Sequence, residues 1–130
     1  MLWQAHHRLP ITVHDGAERS WCWVGDTVNG IVTVLANGRG WAWNVGRDDR
    51  PLPMLALAQR CCELTGADPG ELIEVVPPPA RQTVVKRLST DKLRRLGWRP
   101  RVELEDGLQV MLDWVTLFDR DGQMAGEVAA

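Results

Sequence analysis

The sequence predicts an α/β domain in which about three to four helices pack around a small mixed sheet. Short apolar segments bounded by Gly, Pro or Asp alternate with longer segments whose apolar residues recur every three or four positions. The chain has 130 residues, with 45% apolar and 25% charged residues. That length suffices for one domain with its own core, and this composition is ordinary for a globular protein.

Five short segments are predicted as strands because they are apolar or alternate in side-chain size, and turn residues flank them. The first two are separated by Asp15-Gly16, a common turn pair. Pro77–Pro79 force an extended connection after the fourth strand. The predicted strands are residues 10–14, 20–24, 40–46, 71–76 and 84–88.

Four segments are predicted as helices: residues 26–36, 54–65, 89–97 and 104–118. Asp26 and Ser89 are expected to be the N-caps of the first and third helices, since both side chains accept backbone N–H groups well. In the second helix, Leu55, Ala58, Cys62 and Leu64 mark the expected buried side.

The last predicted helix has the clearest apolar periodicity. Its buried residues are expected to be Leu108, Met111 and Val115. Residues 119–130 lack periodicity and are expected to be a frayed or disordered tail, which leaves 1–118 as the domain.

Positive charge is concentrated in residues 81–101, although the formal net charge of the chain is only −2. Arginines near a loop suit phosphate oxygens, because the guanidinium is charged and offers paired donors. A solvated basic helix face is the alternative interpretation. The eight basic residues of this segment are Arg81, Lys86, Arg87, Lys92, Arg94, Arg95, Arg99 and Arg101.

Cysteine usage and hydropathy favour a cytoplasmic protein. Cys22, Cys61 and Cys62 form no disulfide framework and lack metal-ligand spacing, so reduced thiols are expected. No apolar run is long enough to span a membrane, and the first ten residues do not resemble a signal peptide. The chain has seven tryptophans and no tyrosine.

The order of segments resembles the carboxy-terminal substrate-binding part of the NAD-dependent nucleotide-sugar epimerases and dehydratases, which are extended short-chain dehydrogenases. The resembling segments cover roughly residues 8–116. They are PITVHDGAERSWCWVGDTVNGI, WAWNVG with the amphipathic helix after it, STDKLRRLGWRP and LEDGLQVMLDW. The resemblance implies the fold of that substrate domain and a site for a UDP-, dTDP- or GDP-linked sugar.

Three departures from the family pattern limit what the resemblance implies. The chain contains no G-x-G-x-x-G dinucleotide motif, and the family's catalytic tyrosine has no counterpart because there is no tyrosine. Where many relatives carry Arg-Asp after the first turn, this chain has Arg19-Ser20. We therefore expect no catalytic residue and no cofactor in this chain. NAD is expected only with a separate polypeptide that supplies the Rossmann half.

The resemblance implies six substrate-binding residues. Arg19 matches the arginine that reaches the diphosphate, with a surface ion pair to Glu18 or Asp15 as the alternative. Arg87 and Arg81 lie where relatives place a phosphate- or ribose-contacting arginine. The remaining three are His14, which occupies a nucleotide-contacting position, Trp21, which could stack on a base, and Lys92. Core packing is the alternative for Trp21, and an ion pair within the helix is the alternative for Lys92.

Other conspicuous residues are interpreted as structural. Trp98 and Trp114 match structural positions of the family and are expected in the core. His6 and His7 are adjacent, but no acidic or cysteine partner stands at ligand spacing, so no metal site is predicted. Cys61 and Cys62 are interpreted as packing residues.

Two functions remain open from the sequence. The first is a nucleotide-sugar-binding module that works with a separate NAD-binding polypeptide. The second is a non-enzymatic binding or assembly protein that retains the fold. A domain without its usual partner half should expose apolar surface near the amino-terminal strands, which favours a homodimer or another protein partner. No membrane association is expected. A sequence pI near 5.9 makes nucleic-acid binding an unfavoured role for the basic segment.

Overall fold

A computed structural model describes residues 1–81, 83–86 and 88–120. The helices in these ranges are α1 Leu2–His6, α2 Val24–Asn37, α3 Met54–Thr65, α4 Pro69–Leu72, α5 Asp91–Arg94 and α6 Leu104–Arg120. The strands are β1 Ile11–His14, β2 Glu18–Ser20, β3 Pro51–Pro53, β4 Ile73–Val76 and β5 Val85–Lys86. Arg87 and the predicted tail from residue 121 onward lie outside the described residues.

The strands form two small sheets. β1 pairs in parallel with β4, from Ile11 opposite Ile73 to His14 opposite Val76. In the other sheet, β2 lies between β3, to which it is antiparallel, and β5, to which it is parallel. The predicted α/β class with small mixed sheets is therefore confirmed.

Two predicted strands are wrong. Residues 21–23 and 40–46 have no regular secondary structure, and the strand at β2 ends at Ser20. The tryptophans of 40–46 do not share a sheet face: Trp41 is fully exposed, whereas the Trp43 ring lies beneath the Lys92 ammonium. In place of 40–46, β3 is the antiparallel partner of β2. β3 lies at a sheet edge, where prolines are tolerated because their missing N–H is not needed there.

The helix predictions are correct in position and differ at the ends. α3 has the predicted bounds, but Leu57 and Cys61 are buried while Leu55 is exposed. α2 begins at Val24, so Asp26 lies in its first turn rather than at the cap. α5 is short and begins after Thr90 rather than after Ser89. The Thr90 hydroxyl donates to Asp48 and makes no cap bond, and the Asp91 N–H donates to the Ser89 hydroxyl instead.

The main core lies between the β1–β4 sheet and helices α1, α3 and α6. α1, which the sequence did not predict, contributes Leu2 and Ala5. Burial raises the pKa of the Cys61 thiol to about 11, so this thiol is neutral at ordinary pH and acts as a packing group. The buried residues of this core are Leu2, Ala5, Ile11, Val13, Leu57, Ala58, Cys61, Cys62, Ala67 and Leu108.

α6 buries a narrower face than its periodicity predicted. Leu108 and Val115 are buried, as expected. The predicted burial of Met111 and Trp114 is wrong, because 47% of the surface of Met111 and 51% of that of Trp114 are exposed. α6 packs against α1 and α3, and these contacts leave part of its apolar stripe exposed to solvent.

A second, smaller apolar cluster attaches α2 to the segment around α5. Gly30 lies so close to this segment that a Cβ there would stand 2.6 Å from Val45 Cγ1 and 3.3 Å from a Leu93 methyl. Trp98 is buried as predicted, and its indole N–H donates to the Asp26 carbonyl at 3.1 Å. Because Gly30 has no side chain, α2 can pack this close to the segment around α5.

The opposite face of α2 is apolar and exposed. Its exposed residues recur at helical spacing: Val24, Val28, Ile31, Val32 and Leu35. No covering element lies over this face within the described ranges, whereas exposed apolar surface was expected near the amino-terminal strands. None of the described helices is long and apolar enough to cross a bilayer.

Candidate functional site

Three of the six predicted site residues line one cleft of about 360 Å³. His14 ends β1, Arg19 lies in β2, and Trp21 follows β2 directly. The tight turn at Asp15-Gly16, where Gly16 has a φ of 66°, reverses the chain so that both strands reach the same cleft. The cleft thus combines an imidazole, a guanidinium and an indole from one short stretch of sequence.

Backbone carbonyl groups hold the Arg19 side chain in place. Its Nη1 donates to the carbonyl of Glu18 at 2.6 Å and to that of Val84 at 2.7 Å, and Nη2 donates to the carbonyl of Thr83 at 3.2 Å. A guanidinium has five N–H donors, so these bonds leave two donors without a partner among the described residues. The bonds also fix the guanidinium, and a fixed donor loses less entropy when it binds an anion.

Ser20 contributes a hydroxyl that has no hydrogen-bond partner in the described structure. Its Oγ is buried, and the residue lines the same cleft as Arg19. A buried hydroxyl without a partner is costly, whereas a ligand oxygen or N–H in the cleft would satisfy it. The sequence contained a signal for this residue, since Ser20 replaces the aspartate that many relatives carry after this arginine.

Trp21 separates this cleft from an apolar groove of about 210 Å³. The residue is 40% exposed, so it is not a core residue and a face or edge of the indole is accessible. The groove is lined mainly by apolar side chains, among them Leu2, Trp23, Leu104, Leu108 and Met111. Of the two interpretations of Trp21, exposure favours ligand contact over core packing.

The other predicted site residues do not line this cleft. Lys92 donates to the Ala42 carbonyl at 2.9 Å and lies 4.1 Å from the centre of the Trp43 ring, which makes it a cation–π contact within the chain. Arg81 is exposed in a turn. Arg87 lies outside the described residues, but its neighbour Lys86 pairs with Arg19 in the parallel register of β2 and β5.

On the far side of Trp21 lies an ion-pair network around the buried Arg47, which the sequence did not predict. Arg47 is only 7% exposed. Its guanidinium donates hydrogen bonds to the carboxylates of Asp49 at 2.9 Å and Glu103 at 3.0 Å, and to the Val102 carbonyl at 3.0 Å. Arg50 donates a hydrogen bond to the other carboxylate oxygen of Glu103 at 2.6 Å. The network ties the loop before β3 to the start of α6 and so fixes one wall beside Trp21.

Asp48 makes a second network with Thr90 and Arg94. One carboxylate oxygen accepts the Thr90 N–H at 2.7 Å and the Thr90 hydroxyl at 2.6 Å, and the other accepts from Arg94. Burial opposes ionisation of Asp48, but the bonds from Thr90 and Arg94 outweigh it and lower its pKa to about 2. Asp48 is therefore a charged structural group, and Arg94 is occupied by it.

Asp26 joins α2 to the segment before α6. Asp26 is 6% exposed, and its Oδ2 accepts the N–H groups of Arg101 and Val102, each at 2.9 Å. Its backbone carbonyl accepts the Trp98 indole N–H. One residue in the first turn of a helix thus satisfies two backbone donors and one side-chain donor from a distant segment.

Comparison with known proteins gives a consistent result. No family model matches the chain. A trifunctional UDP-glucose 4,6-dehydratase/UDP-4-keto-6-deoxy-D-glucose 3,5-epimerase/UDP-4-keto-L-rhamnose-reductase of Arabidopsis thaliana is 34% identical over 110 residues, 82% of this chain and 16% of that protein. A dTDP-glucose 4,6-dehydratase of Streptomyces griseus is 33% identical over 109 residues, 83% of this chain and 33% of that protein.

The fold comparison agrees with the sequence comparison. The UDP-glucose 4-epimerase of Thermotoga maritima, solved with UDP-glucose, superposes with a TM-score of 0.78 at 24% identity, over 89% of this chain and 38% of the epimerase. This chain spans one third or less of the length of the two curated relatives described above. Its homologues are therefore the NAD-dependent nucleotide-sugar dehydratases and epimerases, and the chain corresponds to a part of such a protein, as a carboxy-terminal portion would.

Proposed function

We propose that this chain binds the diphosphate of a sugar nucleotide in the cleft formed by His14, Arg19 and Trp21, and that it is not catalytic alone. The observation that carries the proposal is the convergence of these three residues on one cleft. Two relatives are a UDP-glucose and a dTDP-glucose 4,6-dehydratase, and one structural neighbour was solved with UDP-glucose. These names support a UDP- or dTDP-linked sugar as the ligand class.

The chemistry of the cleft suits a nucleoside diphosphate. The two remaining N–H donors of Arg19 can bind phosphate oxygens in charge-assisted hydrogen bonds. Lys86 pairs with Arg19 across parallel strands, and paired residues lie on the same sheet face, so it adds a second positive charge. The accessible indole of Trp21 offers a stacking surface for the base, and Ser20 offers a hydroxyl.

The described residues do not fit NAD. A dinucleotide site needs a glycine-rich turn that brings the pyrophosphate to a helix N-terminus. α3 follows β3 directly, but the residue before it is Pro53, which has no N–H to offer a phosphate. α2 follows β2 after three residues, and its first turn carries the buried Asp26 carboxylate. The negative charge of Asp26 would repel a pyrophosphate, so NAD binding and hydride chemistry on the sugar would have to come from residues outside this sequence.

Calorimetry with UDP-glucose and dTDP-glucose tests the proposed cleft. Wild-type protein should bind one of these ligands, and Arg19→Ala should weaken binding by roughly tenfold or more, because a charge-assisted bond is worth about 1.5–3 kcal/mol. Arg19→Lys should restore part of the affinity, since an ammonium keeps the charge but loses the paired donors. Trp21→Ala should also weaken binding if the base stacks on the indole.

Arg95→Ala is the matched control, because Arg95 is an exposed arginine at the end of α5. It should bind like wild type, and circular dichroism should show that all variants are folded. Equal affinity of wild type and Arg19→Ala, or no binding of either ligand at millimolar concentration, would refute the proposed site. NAD added to the chain alone should give no binding heat.

The exposed α2 face favours assembly as a second function, either with another copy of this chain or with an NAD-binding polypeptide. Val28, Ile31 and Leu35 lie along one side of α2 and are 53%, 48% and 79% exposed. Burying such side chains stabilises an interface by about 25 cal/mol for each Å² of apolar surface removed from water. A binding role for the cleft and an assembly role for this face are compatible.

For self-association, we expect sedimentation velocity to show a concentration-dependent dimer of the wild-type chain. The double variant Val28→Asp/Leu35→Asp should be monomeric, because dimerisation would have to desolvate two carboxylates. Gln59→Asp adds one charge at an exposed position of α3 and should dimerise normally. A wild type that stays monomeric at the highest soluble concentration would leave only a different polypeptide as the partner of this face.

A further inference from the structure

We propose that His6, His7 and Asp119 form a binding site for a divalent transition-metal ion of the zinc type. His6 is the last residue of α1, His7 is its C-cap, and Asp119 lies near the carboxyl end of α6. The site would join the first helix of the described chain to the last one.

The three side chains already converge on one point. Asp119 Oδ2 lies 2.9 Å from His6 Nε2 and 3.2 Å from His7 Nε2. All three potential ligand atoms lie within 4.8 Å of one another. Zn–N and Zn–O bonds of about 2.0–2.2 Å place neighbouring ligand atoms of a tetrahedral ion about 3.3–3.5 Å apart. Small side-chain movements would therefore be enough to admit the ion.

The geometry suits an ion better than two hydrogen bonds. His6 Nε2 is hydrogen-bonded to Asp119, but the buried His7 Nε2 makes no hydrogen bond in the described structure, although the same oxygen is 3.2 Å away. The hydrogen or lone pair of His7 Nε2 is therefore not aligned with that oxygen. A metal ion beside Asp119 Oδ2 could bind His7 Nε2, because the lone pair of a ligand nitrogen must point at the ion and not at the other ligand atoms.

The donor set selects the class of metal. Two imidazole nitrogens and one carboxylate oxygen suit Zn²⁺ and its neighbours Co²⁺, Ni²⁺ and Cu²⁺, whereas Ca²⁺ and Mg²⁺ prefer oxygen ligands. The three side chains are 27%, 30% and 24% exposed, so the site lies near the protein surface. The Trp3 ring packs 4.5 Å from the His7 ring and restrains its orientation.

The sequence could not reveal this site because its acidic ligand is distant. His6 and Asp119 are 113 positions apart, and adjacent histidines alone are weak evidence for a metal. Tertiary packing brings these residues together, here through the contact between α1 and α6. A bound ion would stabilise the folded state in proportion to the logarithm of its concentration over its dissociation constant.

Zinc calorimetry on the untagged full chain tests the proposal, in a Cys22→Ser background that removes the partly exposed thiol. We expect one zinc ion to bind per chain and to raise the melting temperature. His7→Gln and Asp119→Asn should each weaken zinc binding by roughly a hundredfold or more, since even the second-shell partners of metal ligands are worth 10–100-fold. Both substitutions are close in size to the native residues and should preserve the fold.

His14→Gln and Asp113→Asn are the matched controls: one removes a histidine elsewhere, and the other changes an exposed acid on the same helix. Both should bind zinc like wild type. Co²⁺ gives a second readout, because a tetrahedral site with histidine ligands produces visible absorption bands that His7→Gln should abolish. Absence of zinc binding, or binding that survives both His7→Gln and Asp119→Asn, would overturn the proposal.

Discussion

Replacing Asp26 with alanine is expected to lower the free energy of unfolding by about 3–6 kcal/mol, because it removes two hydrogen bonds to a charged group that are worth about 1.5–3 kcal/mol each. The N–H groups of Arg101 and Val102 would lose their acceptor in a partly buried site. Urea unfolding followed by tryptophan fluorescence measures the change. A domain of this size has a total stability of about 5–15 kcal/mol, so the variant should lose a large part of it and unfold at a much lower urea concentration than wild type.

Asp26→Asn separates the charge of Asp26 from its shape. An asparagine oxygen can still accept both N–H groups, so this variant should lose less stability than Asp26→Ala. Asp106→Ala, an exposed acid of α6, serves as the control and should change stability by less than about 1 kcal/mol. If Asp26→Ala unfolds at the same urea concentration as the control, Asp26 does not join α2 to the segment before α6.

Acid is expected to remove about 2 kcal/mol of stability through Asp48 alone. Its pKa falls from 3.8 to about 2 on folding, and each pKa unit corresponds to about 1.4 kcal/mol. A lowered pKa means that the unfolded state takes up the proton first. The stabilisation is therefore complete above about pH 4 and is lost as the pH falls towards 2.

Urea unfolding of wild type and Asp48→Asn between pH 7 and pH 2 measures this contribution. Asp48→Asn should be less stable than wild type at pH 7, because Thr90 and Arg94 lose a charged partner. The difference should shrink towards pH 2, where the wild-type carboxyl becomes protonated. Asp113→Asn, on the exposed side of α6, is the control. Its free energy of unfolding should change between pH 7 and pH 2 by as much as that of wild type. A constant gap between wild type and Asp48→Asn would contradict the lowered pKa.

Elements with a strong apolar period were predictable from sequence. α3 has its predicted bounds because the run from Met54 to Thr65 is bounded by Pro53 and Gly66, which begin and end helices for local reasons. The strand predicted at 40–46 from the alternating tryptophans is wrong. Trp41 is exposed to solvent and Trp43 packs beneath Lys92, so the alternation does not reflect the two faces of a sheet. α1 was missed because five residues are too few to show a helical period.

The candidate cleft was predictable in part. Arg19, His14 and Trp21 came from the resemblance to a family, and they lie close in sequence, so a single turn brings them together. The supporting residues could not be found in this way. Arg47 with Glu103 and Asp48 with Thr90 are pairs separated by 56 and 42 positions, and only tertiary packing makes a buried charge at either place acceptable.

The parallel pairing of β1 with β4 has a consequence for the nascent chain. Ile11 needs a partner, Ile73, that is synthesised about 60 residues later. At typical translation rates, β1 waits roughly 3–12 s before β4 has even been made, and longer before it leaves the ribosome. During that time Ile11 and Val13, both fully buried in the folded protein, have no sheet to join. An unpaired apolar strand of this kind is what chaperones at the ribosomal exit bind, so the β1–β4 sheet can form only when more than half of this chain has emerged.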